Sequence, residues 1–261
     1  MKMTELLTPR PGLRVLVTAG ASGIGAAIAR AFLDADAQVL ICDIDQTALD
    51  RFAADHPQVK TLRADVSDEA QVAALFAAVT DQLRGLDVLV NNAGISGPTG
   101  PVDDIPLDAI RQTLDVNLMG QFLVTRHAAA LLRESAGTIL NISSVAGRLG
   151  YGLRTPYAAA KWGIVGLTES LAKEMGPDGI RVNAILPGVV RGARIEGVIR
   201  DRAIAQGISY AEMEAQYLAN ISLRRMVEPE DIAATALFLT SPGGRNISGQ
   251  AISVCGNVET I

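Results

Sequence analysis

Arg14-Val-Leu-Val-Thr18, Ala19-Gly-Ala-Ser-Gly-Ile-Gly25 and Ala26-Ala-Ile-Ala-Arg-Ala-Phe32 follow one another without a break. The first run is short and apolar, the second rich in glycine, the third helix-forming. This reads as strand, turn and helix. Gly20, Gly23 and Gly25 carry no Cβ, so backbone there can approach a ligand closely. The helix that starts within the turn, where Ser22 and Ile24 also lie, points unpaired N–H groups at whatever binds, which suits a phosphate. A glycine turn alone is also an ordinary structural turn. Its place between a strand and a helix is what points to a dinucleotide.

Working outward, Gln38-Val-Leu-Ile-Cys-Asp43 is a second strand ending in an acid, eighteen residues beyond Gly25. That is close to the spacing of a carboxylate that takes the adenosine ribose hydroxyls. Such a carboxylate repels a 2′-phosphate, and no Arg or Lys in the turn offsets it. NAD is therefore expected, NADP less so, with Ile44 at the same strand end. The plainer alternative is an acid that caps a strand.

The pattern repeats along the chain. Strands are expected at 59–63, running to Asp65-Val66, at 86–91, followed by Asn92-Ala93-Gly94, and at 137–144, 180–186 and 251–254. Helices are expected at 67–83, at 106–134 with an irregularity near Asn117, at 155–174 and at 229–240, with one or two more in 191–220. Strands alternating with helices define an α/β protein: a single-domain, Rossmann-type doubly wound parallel sheet of about seven strands with helices on both faces. The domain is expected to span 1–261, with a cofactor half at about 10–150 and a catalytic, substrate-covering part at about 140–261. Ligands bind outside the carboxyl ends of such strands, where Gly20–Gly25, Asp43, Asn92–Gly94, Ser144 and Pro187-Gly188 fall.

Composition narrows the class. The 261 residues are 49% hydrophobic and 4% aromatic, enough for one full α/β core. Net charge is −5 with both signs interspersed, which gives no nucleic-acid surface. Cys42 and Cys255 have no paired spacing, and neither C-x-x-C nor H-E-x-x-H occurs, so no metal is expected. The first ten residues lack an apolar signal core, and no run reaches transmembrane length. A cytoplasmic protein with no membrane partner is expected.

The chemistry centres on Ser143-Ser144 and, thirteen residues beyond Ser144, Tyr157-Ala-Ala-Ala-Lys161. In a helix Tyr157 and Lys161 leave one face a turn apart. A cation there stabilises a phenolate and lowers its pKa, and such a tyrosine can exchange a proton with a carbonyl or alcohol oxygen. A packed tyrosine beside a snorkelling lysine has the same spacing. The remaining motifs decide between the two.

Thr18-Ala-Gly-Ala-Ser-Gly-Ile-Gly25, Asp65, Asn91-Asn-Ala-Gly94, Asn117, Asn141-Ile-Ser-Ser144, Tyr157-x-x-x-Lys161 and Pro187-Gly188 occur together, in order. Over nearly its whole length the sequence resembles the short-chain dehydrogenase/reductase family. The resemblance implies hydride transfer between NAD and a secondary alcohol or ketone. It gives Tyr157 the acid/base role, Ser144 a hydrogen bond to the substrate oxygen, and Lys161 a bond to the nicotinamide ribose. It gives Asn117 a helix irregularity and a water leading to Lys161. It places Gly94 by the adenosine half, Pro187 and Gly188 by the nicotinamide, and Val190 backbone by its carboxamide. The thirteen-residue spacing assigns Ser143 to structure.

The alternatives are an NADPH-dependent 3-ketoacyl or carbonyl reductase and a non-catalytic dinucleotide-binding regulator. The resemblance also implies a homotetramer, with a dimer as the smaller alternative, through the 107–134 and 155–174 helices and contacts from Ala158, Ala159, Trp162 and Val165. Three positions depart from the family pattern: Ala19 for a glycine, Gly192 for a threonine, and Cys255-Gly256-Asn257 for Asp-Gly-Gly. Finally, Arg148 and Arg154 lie between Ser144 and Tyr157, and Arg191 and Arg194 follow Pro187-Gly188. Guanidinium groups so placed suggest a small hydroxy acid or sugar acid as substrate.

Overall fold

The structure, a computed structural model, describes residues 3–258. Seven strands form one sheet: β1 (Arg14–Thr18), β2 (Gln38–Asp43), β3 (Lys60–Arg63), β4 (Val88–Asn91), β5 (Thr138–Ile142), β6 (Arg181–Pro187) and β7 (Ala251–Val254). Every pairing is parallel, in the order β3-β2-β1-β4-β5-β6-β7. The order reverses between β1 and β4. The crevice at that switch point opens at the strand ends, beside the glycine turn.

Both faces of the sheet are covered because β1 is apolar at successive positions. Val15 and Val17 enter one core layer with Ile28, Phe32 and Ile41, while Leu16 enters the other with Leu40, Leu75 and Leu132. The first layer lies under α2 (Gly23–Asp34), α3 (Gln46–Asp55) and α10 (Pro229–Thr240); the second lies under α4 (Glu69–Leu83) and α6 (Gly120–Ser135). A smaller cluster of Val189, Ile199, Met213, Ile221 and Met226 sits beneath α8 (Ala193–Gln206) and α9 (Tyr210–Ala219). None of the described helices is long and apolar enough to cross a membrane.

Differences from the expected elements have local causes. Apart from the helix that follows the glycine turn, the sequence pattern gives no helix before residue 67, yet α1 (Met3–Leu7) and α3 form. α3 buries only Leu49 and Phe52, too thin a stripe to stand out, and is started by Asp45, whose carboxylate accepts from Ala48 N. The expected 137–144 strand narrows to β5. Ser144 instead caps a short 3₁₀ turn, its hydroxyl accepting from Ala146 N at 3.1 Å. The expected 106–134 helix is α5 (Leu107–Leu114), a π-helical turn (Asp115–Met119) and α6. The extra residue in that turn swings Asn117 fully inside.

Candidate active site

The glycine turn is strapped to the end of β4. Thr18 Oγ1 accepts from the backbone N–H groups of Asn92 and Ala93, at 2.9 and 3.0 Å. Asn92 Nδ2 donates to the carbonyls of Thr18 and Ala19, both at 3.0 Å. A Cβ on Gly25 would collide with the Ala19 carbonyl and lie 2.5 Å from Asn92 Nδ2. Ala19 has φ +49°, the left-handed region that disfavours a Cβ. It keeps that conformation because Asn92 holds its carbonyl.

Asp43 lies across this turn at the end of β2, nearly buried, and accepts from Ala21 N at 3.3 Å and Asp45 N at 3.2 Å. Ile44 is exposed beside it. The carboxylate of Asp65 is turned to the backbone N–H and hydroxyl of Ser67, at 2.9 and 2.7 Å. Val66 is a core side chain under Gly120. These two shape the end of β3, where Oδ1 of the half-buried Asp65 carboxylate makes both bonds to Ser67.

The helix α7 (Thr155–Met175) presents Tyr157 and Lys161 at the mouth of the crevice. Lys161 is buried, its Nζ donates to Ile142 O at 3.0 Å, and it lies 5.6 Å from the centre of the Tyr157 ring. The Ser144 hydroxyl is close enough to Tyr157 to draw its pKa down. Ser143 is inside, donating to Lys161 O at 2.8 Å, which anchors α7 to the end of β5. Asn117 Nδ2 donates to Ile95 O and Thr113 O, while its buried Oδ1 has no partner among the described residues. A Cβ on Gly94 would sit 2.6 Å from that Oδ1 and 3.6 Å from Lys161 Nζ, so Gly94, Asn117 and Lys161 enclose one small space.

The electrostatics differ from the expectation that Lys161 lowers the phenol. Burial, with Arg194 nearby, brings the Lys161 ammonium down to about 7. Burial raises Tyr157, and what draws it back is the Ser144 hydroxyl, then the guanidinium groups of Arg194 and Arg154. The physical reason is that a lysine at about 7 has lost part of its charge at neutral pH, whereas an arginine keeps its own.

The expectation of four arginines converging on a substrate is corrected in two places. Arg148 is tied to β7, donating to Ser253 Oγ at 3.0 Å and Ala251 O at 2.7 Å. Arg191 pairs with Glu228 at 2.9 Å on the surface. Both are engaged by partners within the protein. Arg154 and Arg194 stay at the site. Arg154, 5% exposed, lies 5.0 Å from the centre of the Tyr157 ring and 5.2 Å from that of Tyr151; its Nη2 donates to Ser96 O at 2.5 Å, and its buried Nε is unpartnered. Arg194 Nη2 donates to Gly94 O at 2.8 Å.

Pro187 closes β6. Gly188 must lack a Cβ, which would fall 2.7 Å from Cys255 Cβ. Val190 forms a parallel bridge with Val227 through the flanking Val189 O and Arg191 N, leaving its own N–H and C=O turned the other way. Sequence reasoning missed Arg202, Tyr151 and Tyr217, whose contacts are made only in the fold. Among the expected interface residues, Ala158 is buried within the protomer, whereas Trp162 is exposed, as are Met119 and Phe122.

A family model described as enoyl-(acyl carrier protein) reductase matches residues 18–257. Galactitol 2-dehydrogenase of Agrobacterium fabrum is 36% identical over 244 residues, 92% of this chain and 95% of that protein. Among solved structures, an actinorhodin polyketide ketoreductase with NADPH superposes with a TM-score of 0.92 at 30% identity, covering 96% of this chain and 98% of that one. An NAD⁺-bound xylitol dehydrogenase gives 0.91 at 26% identity, with 95% and 99% covered. The chain belongs to the short-chain dehydrogenase/reductase family. It is an oxidoreductase whose relatives act on CH–OH groups with a nicotinamide dinucleotide.

Proposed function

We propose that the protein is an NAD-linked dehydrogenase that oxidises a secondary alcohol of a small hydroxylated molecule, and reduces the ketone in reverse. The observation that carries the NAD reading is Asp43, a nearly buried carboxylate beside the glycine turn with Ala21 N–H already on it. A 2′-phosphate there would meet that negative charge, and the neighbouring Arg63 guanidinium is already turned to Ile44 O at 3.1 Å. The steric demand at Gly25 and the free groups of Val190 also suit a dinucleotide laid along the strand ends. Bound NAD supplies the hydride acceptor.

The chain's residues handle the proton and the oxygen. Tyr157 takes the alcohol proton during oxidation and returns it during reduction, and Ser144 donates to the substrate oxygen. Lys161 steadies the ribose side, and the unpartnered Asn117 Oδ1 suits a water that joins Lys161 to solvent. Residues of about 10–150 furnish the cofactor cradle, and about 140–261 the catalytic and covering part. The galactitol and xylitol dehydrogenases named above support a polyol-like alcohol. The exposed Met119, Phe122 and Trp162 support assembly into a homotetramer or dimer. A cytoplasmic setting agrees with two free cysteines, the buried Cys42 and the half-buried Cys255.

The test measures reduced-cofactor absorbance with NAD and NADP in parallel on xylitol, sorbitol and galactitol. NAD should win, and Asp43→Ala should weaken NAD binding and narrow the gap. Faster turnover of wild type with NADP would transfer the protein to the NADPH-reductase reading, for which the ketoreductase structure is the precedent.

A further inference from the structure

We propose that the substrate carries an anionic group, and that Arg202 receives it in the cavity between α8 and α9, which is linked to Tyr157 through Tyr217, Tyr151 and Arg154. The inference rests on the reading of Tyr157 as the proton-transfer group.

The cavity has a volume of about 220 Å³; Arg202, Gln216, Tyr217 and Asn220 line it over Val189 and Met213. A continuous run of side chains links it to Tyr157. Arg202 Nη1 donates to the Tyr217 hydroxyl at 3.1 Å, with its guanidinium carbon 5.4 Å from the centre of that ring. The Tyr217 and Tyr151 hydroxyls are 3.4 Å apart. The Tyr151 ring faces Arg154, whose guanidinium also faces the Tyr157 ring.

Charge is unbalanced along this run. Seven arginines elsewhere pair with carboxylates: Arg10, Arg14, Arg30, Arg111, Arg126, Arg133 and Arg191. Arg154, Arg194 and Arg202 have no such ion pair among the described residues. Arg154 is buried and Arg202 half-buried, whereas Arg194 is exposed; a guanidinium drawn partly from water without a counter-charge is costly, and a ligand that brings the charge recovers that cost. Arg154 is too enclosed to grip a ligand, so it adds field at Tyr157. Arg202 has a cavity in front of it, polar amides across from it and a planar fork suited to a carboxylate, sulfonate or phosphate. The volume, below that of a drug-sized pocket, takes a small head group.

The test compares kcat/KM with NAD for matched pairs: 3-hydroxybutyrate against 2-butanol, and sorbitol 6-phosphate against sorbitol. The two pairs separate a carboxylate from a phosphate. A charged hydrogen bond predicts that the anionic member of one pair wins by about 10–150-fold. Arg202→Met should erase that ratio mainly through KM, and Arg191→Met should keep it. Equal values within both pairs in wild type, or a ratio that survives Arg202→Met, would overturn the proposal.

If no alcohol is oxidised, the reading of the site as a dehydrogenase fails separately. The anion site is then judged by Tm with glutarate and with inorganic phosphate, against sodium chloride at equal ionic strength. A rise with either anion in wild type that disappears in Arg202→Met upholds it, and no rise overturns it.

Discussion

The β1–α2 turn and the α8–α9 cover lie at the same strand ends but are held in opposite ways. At the turn every constraint is short and made at or beside the backbone: a Cβ that cannot exist at Gly25, a left-handed Ala19, and a hydrogen-bonded strap from Thr18 to Asn92. The cover rests on long side chains: Arg194 on Gly94 O, Arg202 on Tyr217, Tyr217 near Tyr151, and a core cluster about a third the size of either sheet layer. The difference separates two jobs. A cofactor common to many enzymes is met by backbone, which admits few solutions. A particular substrate is met by side chains, which can be exchanged without disturbing the sheet.

The largest expected effect would break the rigid side. Gly25→Ala puts a Cβ against the Ala19 carbonyl and Asn92. Neither can retreat without releasing the strap, so the variant should lose about 3 kcal/mol of stability, the upper range for overpacking. NAD affinity should fall at least about tenfold, the equivalent of about 1.4 kcal/mol. Urea unfolding and NAD titration measure both. An unchanged NAD affinity would show that the turn does not form the cofactor cradle.

A smaller effect probes the opposite, amino-terminal edge of the same sheet. Asp87 is nearly buried and receives Arg14 at 2.8 Å and Arg10 at 2.9 Å. Burial alone would raise its pKa, but the bonds from Arg14 and its charge hold the carboxyl below the ordinary range. A folded-state pKa below the unfolded one gives stability that is present above the unfolded value and lost as pH falls through the folded one. Because Arg10 is largely exposed, Asp87→Asn should cost about 2 kcal/mol at neutral pH, less than a fully buried pair. The gap between wild type and variant in urea unfolding should shrink as pH falls below about 4. A gap independent of pH would mean that the carboxylate charge is not what stabilises this edge.

The same contrast explains what was legible in the sequence. The sheet could be read because successive apolar residues in Val15-Leu-Val17 and Val39-Leu-Ile-Cys42 fill both faces, and the strand ends then locate Asp43, Asn92, Ser144 and Pro187. The Ser144, Tyr157 and Lys161 cluster could be read because its spacings are local to one strand end and one helix. Arginine roles could not. Arg148 finds β7 and Arg191 finds Glu228 through tertiary packing, whereas Arg202 meets Tyr217 across two helices. Chain proximity to a catalytic residue said where these side chains begin, not where their long stems end. The weakened charge of Lys161 could not be read for a related reason: the residue pair is in the sequence, but the burial that weakens the lysine charge is not.

The central claim is that Tyr157 exchanges the substrate proton during NAD-linked alcohol oxidation. It is tested most directly by comparing Tyr157→Phe with wild type in one assay: initial NADH formation on an alcohol that wild type oxidises, alongside NAD binding by titration. The account predicts a fall in kcat of at least about 10²-fold, with NAD affinity nearly unchanged, because the phenol acts mainly in the transition state. A variant that keeps more than about a hundredth of the wild-type rate would contradict it.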